Sequence, residues 1–276
     1  MLCPWICQLP FTCPCFRLLF HMFEGILSIF DKSSASFQVL SDLHLEVYQQ
    51  YLSFEIPTDR FELVFLILGN HEFYSDTFAA GLQRARQLEK EHCLNGRLIL
   101  LHQGRYDIPG SHVTILGCTL WSRVPDEARD IVCSRIQDFK KILDWSVNDH
   151  NGSHEADLAW LLSEIESIQS QNKTQKQKQS KKQSVLVVTY HAPSLQGTST
   201  PQHANNAWSS AFATDILSQI SKSSGIKVWV FGHTLYTTEF RNQGIRVVAN
   251  QRGYVLPWTD SKGSKDGFVI GKVIHV

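Results

Sequence analysis

Short apolar segments of strand length recur along this chain, and segments of helical periodicity lie between the earlier ones. Such alternation is typical of α/β folds, in which helices cover a sheet. The last strand segments follow one another without helices, which predicts a more antiparallel C-terminal half. The predicted strands cover residues 37–41, 62–68, 98–101, 113–118, 185–190, 228–231, 237–241, 245–249 and 268–273. We therefore expect an α/β protein whose sheet lies between layers of helices.

Two amphipathic helices are predicted between the strands. Asp76 can cap a helix whose apolar residues recur over 78–88, and Ser153 precedes one whose apolar residues recur over 158–165. Asp and Ser are favoured helix caps because their side-chain oxygens accept hydrogen bonds from the first free backbone N–H groups. These helices are expected to cover the sheet.

The N-terminal region has an unusual composition. Residues 1–35 contain four of the seven cysteines and several prolines, and we predict that they form an atypical extension outside a single domain of residues 36–276. A signal peptide is disfavoured because no positively charged segment precedes the apolar residues. A disulfide framework or a zinc site is also disfavoured, because the count is odd and paired C-x-x-C spacing is missing.

Residues 169–184 contain only polar side chains, mainly glutamine and lysine. A segment without apolar side chains cannot offset the entropy lost on ordering, so a flexible, solvated loop is predicted. A nucleic-acid site would require arginines or aromatic residues among the lysines, and the loop has neither. The whole chain balances 26 basic against 26 acidic residues, so charge does not indicate a nucleic-acid partner either.

The length of the apolar runs bears on membrane association and compartment. The 276-residue chain contains no run of 18 apolar residues, which argues against a membrane-spanning helix. We therefore expect a cytoplasmic protein without a membrane partner, while its oligomeric state stays open.

Side chains that can bind a metal ion or transfer a proton follow two of the predicted strands, those over residues 37–41 and 62–68. Asp42 and His44 lie two residues apart after the first, so in an extended chain their side chains would point the same way. The second strand ends in Gly69, Asn70 and His71. Glycine permits a sharp turn, the amide oxygen of asparagine can bind a cation, and a neighbouring histidine can donate a proton.

Two further strands end in histidine. His191 follows Tyr190 at the end of one strand, and His233 follows Gly232 at the end of another. Open α/β sheets collect their ligands at the carboxyl ends of strands, so these residues are expected to meet in one cleft. A mixed set of nitrogen and oxygen donors suits Mn, Fe, Zn or Ni better than Ca. The set predicts a metal-assisted hydrolase.

The motif order D-x-H, G-N-H-E, strand-end histidine and G-H-T resembles the calcineurin-like metallophosphoesterases, over residues 37–253. Segments such as HAPSLQGTS and VVANQRGY resemble a microbial, chiefly fungal, branch of that superfamily. The resemblance implies a four-layer α/β/β/α sandwich that holds two divalent metal ions about 3.5–4 Å apart. It also implies a small phosphoester substrate, either a monoester or a diester.

The resemblance also implies roles for single residues. Asp42 and His44 would bind the first metal ion, and Asn70 would bind the second together with a histidine of the Tyr190-His191 segment. The metal ligands implied by the resemblance are therefore Asp42, His44, Asn70, His191 and His233. His71 would protonate the leaving alkoxide or stabilise charge on the phosphate.

The chain departs from the family pattern at three places. The family has a Gly-Asp motif on its own strand between the first two motifs, but this chain has no Gly-Asp dipeptide and too few residues there for a βα unit. Its loss would remove the aspartate that bridges the two metal ions and leave a gap in the sheet. Glu55 and Asp59 are the nearby acidic candidates to replace it. Tyr190 and Leu235 stand where relatives commonly have histidine.

Strand alternation favours Tyr190 in the ligand position, which would leave His191 pointing to the other face, and the choice between the two residues stays open.

Three hypotheses follow. The chain is a metal-dependent phosphoric ester hydrolase impaired by its missing ligands, holding one metal ion instead of two. Alternatively, it is an inactive family member that acts as a binding protein, or an incomplete gene model. A nucleic-acid-binding module that uses the lysine-rich segment is the third hypothesis, supported by local charge alone.

Overall fold

The computed structural model describes residues 25–29, 35–44, 61–177, 182–254 and 267–276, and within this part the chain forms two β-sheets and four α-helices. The strands are β1 (Gly25–Ile29), β2 (Ser36–Ser41), β3 (Val64–Ile67), β4 (Leu98–Leu100), β5 (Gly104–Asp107), β6 (Val113–Cys118), β7 (Ser184–Thr189), β8 (Ile226–Val230), β9 (Thr238–Asn242), β10 (Ile245–Ala249) and β11 (Val273–His275). The helices are α1 (Phe78–Glu89), α2 (Arg129–Arg135), α3 (Asp138–Lys141) and α4 (Val147–Gln177).

The first sheet has the strand order β11-β2-β1-β3-β4. Strand β1 pairs antiparallel with β2 on one side and with β3 on the other, so that Gly25 lies opposite both Ser41 and Ile67. The gap expected between β2 and β3 is therefore filled by a strand from the N-terminal region. The prediction that residues 1–35 lie outside the fold is wrong for Gly25–Ile29, because backbone hydrogen bonds on both edges hold this segment in the sheet.

The second sheet has the order β5-β6-β7-β8-β10-β9. Its four central strands, β6, β7, β8 and β10, are parallel, and an antiparallel strand lies at each edge. Most predicted strands agree with the structure to within a few residues. Strand β5 was not predicted, and the last strand begins at Val273, so the predicted strand over 268–273 is wrong for most of its length.

Alternating side chains divide the core into three packing regions. One lies between α1 and the first sheet, one between the two sheets, and one between the second sheet and α4. On β7, Val185 and Val187 pack towards α4, whereas Leu186 and Val188 pack between the two sheets. On the first sheet, Leu66 packs towards α1. The layers therefore run α1, first sheet, second sheet, α4, and the predicted α/β/β/α sandwich is confirmed.

The helices differ from the prediction at their ends. Helix α1 is capped by Thr77, whose side chain accepts a hydrogen bond from the Ala80 N–H group, and not by Asp76. Helix α4 continues to Gln177, so the loop predicted over 169–184 is wrong for residues 169–177. Lysine and glutamine are good helix formers, and extending an existing helix costs less than nucleating a new one. The side chain of Asn172 also accepts from the Gln183 N–H group at 2.7 Å.

Candidate functional site

Asp42 and His233 meet where β2 and β8 end. The backbone N–H group of His233 lies 3.0 Å from each carboxylate oxygen of Asp42, and the Ser41 hydroxyl donates to the same carboxylate. Asp42 is fully buried. Gly232 makes this approach possible, because a Cβ atom there would lie 2.8 Å from the carboxylate. Hydrogen bonds from the His233 backbone to the Asp42 carboxylate thus hold the two strand-end motifs together.

The Tyr190 hydroxyl lies at the centre of the predicted ligands. It donates to the side-chain oxygen of Asn70 at 2.9 Å, and it lies 3.2 Å from Nδ1 of His233 and 3.4 Å from a carboxylate oxygen of Asp42. Tyr190 is 2% exposed. A phenol therefore contacts three side chains that the resemblance implies as metal ligands.

The orientation of the Asn70 side chain is fixed by a carboxylate that sequence reasoning missed. The side-chain NH₂ group of Asn70 donates to Asp138 at 2.6 Å and to the Tyr74 hydroxyl at 3.1 Å. This network points the amide oxygen towards Tyr190. Asp138 is buried and lies 68 residues further along the chain, so no local pattern indicates its role.

Aromatic rings line the other side of the cleft. The ring centroids of His44 and His71 are 4.8 Å apart, and the ring of His71 stacks on that of Tyr74 at 4.5 Å. The ring of His44 stacks on Tyr254 at 3.9 Å. The Tyr254 hydroxyl lies 3.5 Å from Nε2 of His71. His71 is half-buried and lies at the mouth of the cleft, where a substrate could reach it.

Three site residues have left-handed backbone conformations: φ is 51° at Asp42, 45° at His44 and 71° at His233. The predicted extended geometry at Asp42 and His44 is therefore wrong, because β2 ends at Ser41. Such strain costs on the order of 1–3 kcal/mol per residue and is concentrated at functional sites.

His191 lies behind the cleft, in a buried cluster of rings. Its ring centroid is 4.3 Å from that of His233, 5.3 Å from that of Trp121 and 5.7 Å from that of His150. Neither of its ring nitrogens has a hydrogen-bond partner within the described part of the chain. Burial, with a smaller effect of neighbouring His233, lowers the pKa of His191 well below its usual value. Tyr190, one residue earlier, takes the place facing Asn70.

Helix α4 supplies a second set of buried polar residues that sequence reasoning missed. His154 bonds the Leu120 carbonyl group at 2.9 Å, and Asp157 accepts from the Leu120 N–H group at 2.8 Å. Burial raises the pKa of Asp157 to about 6. These contacts hold the turn at Leu120 and Trp121, where φ is 69° and 42°. The spacing of His154 and Asp157 on one helix face is the one sequence signal for this role.

The side chains as arranged do not fit a two-metal centre. In the described ranges, no three or more histidine, cysteine, aspartate or glutamate side chains lie so that together they could hold a metal ion. The donors of Asp42 and Asn70 are instead engaged with N–H and hydroxyl groups. Nε2 of His233 is buried without a hydrogen-bond partner among the described residues, so it could serve one ion.

Burial favours the neutral form of His233 in this cleft. Burial lowers the pKa of His233 to about 3, and neighbouring His71 contributes in the same direction. A neutral imidazole is the form that binds metal ions. Glu55 and Asp59, the candidates to replace the bridging aspartate, lie outside the described residues. The ligand roles given to Asp42, His44, Asn70, His191 and His233 stay predictions.

The comparisons with known proteins bear on the fold. No family model matches the chain. An uncharacterized protein of Acanthamoeba polyphaga mimivirus is 24% identical over 217 residues, which cover 70% of this chain and 69% of the viral protein. The phosphopantetheinyl hydrolase of Mycobacterium tuberculosis has a TM-score of 0.51 at 15% identity, covering 83% of this chain and 78% of that one. The chain therefore shares the overall fold of a hydrolase, in agreement with the sandwich implied by the resemblance.

A putative 5'-nucleotidase from Staphylococcus aureus is a more distant neighbour. Its TM-score is 0.37 at 16% identity, and the match covers 76% of this chain and 35% of that one. The score is too low to indicate a shared fold. Among the described helices, none is long and apolar enough to cross a bilayer.

Proposed function

We propose that this protein is a phosphoric ester hydrolase that works with at most one tightly bound divalent metal ion, and therefore slowly. The observation that carries the proposal is the cleft itself, which collects Asp42, His44, Asn70, His71 and His233 at the ends of strands from both sheets. Carboxylate, amide and imidazole groups converging on one cleft are the chemistry that phosphoester hydrolysis requires.

The limit to one ion follows from Tyr190. The Tyr190 hydroxyl donates to the side-chain oxygen of Asn70, which the resemblance implies as a ligand of the second ion, and a neutral hydroxyl brings no charge to offset the repulsion of two dications. At about 4 Å this repulsion amounts to roughly 17 kcal/mol even at an effective dielectric constant of 20. In the described arrangement no three such side chains lie where they could hold an ion together, so binding of one ion by Asp42, His44 and His233 requires their side chains to move. The bound ion would supply a Lewis acid for a phosphoryl oxygen.

His71 is assigned the proton transfer. Its ring lies at the mouth of the cleft, stacked on Tyr74 and 4.8 Å from the ring of His44. Stacking fixes the plane of the imidazole, while Nε2 faces the hydroxyl of half-exposed Tyr254. From this position His71 can give a proton to the oxygen that leaves phosphorus, and its own proton is replaced from water.

Metal content and turnover test the proposal directly. We expect the purified chain to bind at most one tight equivalent of Mn²⁺, and to hydrolyse an activated aryl phosphate only with Mn²⁺ present. A chelator should abolish this activity. Inductively coupled plasma mass spectrometry and a chromogenic assay measure the two quantities. Two tight equivalents together with turnover of about 1–10³ s⁻¹ would contradict the limit to one ion and point to another bridging group such as Glu55.

Replacing Tyr190 with histidine is expected to create a second metal position. The Tyr190→His variant exchanges a phenol for an imidazole next to Asn70, and the affinity for added Mn²⁺ should rise by at least about tenfold. Tyr190→Phe is the matched control, because it removes the hydroxyl without adding a ligand. It should bind no extra metal and lose about 1–3 kcal/mol of stability from the partners left unpaired. Equal Mn²⁺ binding by all three proteins would refute this role of Tyr190.

A second candidate function is binding without catalysis. It is favoured by Leu235, which stands where the resemblance implies a histidine and cannot bind a metal ion. A protein of this kind would bind a phosphoester in the same cleft and release it unchanged. Binding of an aryl phosphate at micromolar concentration, with no phosphate released over hours in the presence of Mn²⁺, would select this alternative over hydrolysis.

A further inference from the structure

A cavity of about 400 Å³ adjoins the cleft on the side of His233. Its apolar wall is formed by Leu195, Trp208, Phe212 and Leu235. The ring of Phe212 stacks on that of His233 with centroids 4.7 Å apart, so the wall is continuous with the candidate site. The volume lies within the range of about 300–1,000 Å³ that is typical of small-molecule sites.

None of the residues that line this cavity is Asp, Glu, Lys or Arg. Its polar groups are hydroxyl groups of serine and threonine, the side-chain amide of Asn206, and the imidazoles of His203 and His233. A charged group placed here would lose its water without gaining a carboxylate, ammonium or guanidinium partner, which is costly. The cavity therefore disfavours a second phosphate, a carboxylate or an ammonium group.

The apolar wall is also held in place. The guanidinium group of Arg135 lies 5.5 Å from the centroid of the Trp208 ring, a cation–π distance, and thereby supports the ring from outside the set of lining residues. Leu235 contributes its side chain where the resemblance implies a metal ligand. A leucine at this position, in place of the implied ligand, extends the apolar surface beside His233.

We propose that this cavity binds the leaving group of the substrate, and that the substrate is a phosphate monoester of an uncharged, ring-containing alcohol. The proposal rests on the phosphoester cleft proposed above. In the reaction, an oxygen atom from water bonds to phosphorus, the P–O bond to the alcohol breaks, and His71 gives a proton to the departing oxygen. A proton released by the attacking water restores His71, so the products are the neutral alcohol and inorganic phosphate.

Binding and turnover are best measured separately. Binding is followed by calorimetry with two phosphonates that cannot be hydrolysed, 3-phenylpropylphosphonate and 3-aminopropylphosphonate. Burial of the phenyl ring should favour the first by about 30-fold or more. Turnover is followed with the corresponding esters, 2-phenylethyl phosphate and 2-aminoethyl phosphate, whose leaving groups are both primary alcohols.

A matched pair of variants tests whether the preference for the phenyl compound arises in this cavity. Leu195 and Leu143 are both exposed leucines, 43% and 51% respectively, but only Leu195 lines this cavity. Leu195→Asp places a charge in the apolar wall and should reduce the preference for the phenyl compound by about tenfold, whereas Leu143→Asp should leave it unchanged. Thermal unfolding of both variants checks that the fold is intact.

The possible results separate the two proposals. If the protein prefers the phenyl phosphonate but hydrolyses neither ester, the proposed class of ligand is upheld and the proposed hydrolase activity is overturned. Hydrolysis of both esters at equal kcat/KM would uphold the hydrolase and overturn the ligand class. Failure of both phosphonates to bind, or equal loss of the preference in Leu195→Asp and Leu143→Asp, would overturn the assignment of this cavity.

Discussion

Replacing His71 with alanine is expected to lower kcat by about 10²–10⁴-fold on an alkyl phosphate while the metal content stays the same. The reason is that His71 acts on the leaving oxygen and not on the ion. The deficit should shrink on an aryl phosphate with a strongly acidic phenol, because such a leaving group departs without a proton. Steady-state kinetics on the two esters, with metal analysis of the same samples, give the required comparison.

His92 provides a control for this substitution. It lies in a short helical turn outside the cleft, and its side chain is largely exposed. His92→Ala should change neither kcat nor metal content. A parallel loss of bound metal in His71→Ala would reassign His71 as a ligand. An equal loss of kcat on both esters would instead indicate that His71 positions the phosphate and does not transfer a proton.

Replacing Gly232 with alanine is expected to lower the free energy of unfolding by about 1–3 kcal/mol and to weaken Mn²⁺ binding in the same variant. A Cβ atom at this position would lie 2.8 Å from both the Asp42 carboxylate and the Ser41 hydroxyl oxygen, closer than real Cβ contacts allow. The carboxylate must therefore move away from the His233 N–H group. Urea unfolding and Mn²⁺ titration measure the two effects.

Gly152→Ala makes the same chemical change where there is space. Gly152 lies in helix α4, and a Cβ atom there would have no neighbour within 4 Å. Alanine at an exposed helix position should stabilise the protein by up to about 1 kcal/mol. The two variants should thus shift stability in opposite directions. Equal behaviour would mean that the contact of Gly232 with Asp42 does not hold the cleft together.

Apolar runs of strand length predicted most of the strands because they are a local signal, whereas the arrangement in two sheets was implied by the resemblance to the metallophosphoesterases. The alternation of side chains along a strand favoured Tyr190 as the residue that faces the other motifs, although the resemblance implied His191 as a ligand and the choice between the two was left open. The structure places the Tyr190 hydroxyl against Asn70.

Other parts of the site could not be predicted, because the contacts that matter are distant in sequence. Asp138 fixes Asn70 across 68 residues, and nothing near Asp138 indicates this. The helix over 169–177 was missed because its composition has no apolar period, although the preceding turns of α4 extend through it. Left-handed backbone at Asp42 and His44 was missed because the strand was taken to continue past Ser41.

Strand β1 enters the first sheet between two strands that run parallel to each other, and it is hydrogen-bonded along both of its edges. If β1 were withdrawn, β2 and β3 would face each other across a slot one strand wide, about 10 Å. Both walls of that slot would present unpaired backbone groups, which readily accept a strand from another molecule. Exchange of Gly25–Ile29 between two copies would then restore every backbone bond of the sheet while linking the copies, so the segment that completes the fold is also the one through which the protein could dimerise by swapping.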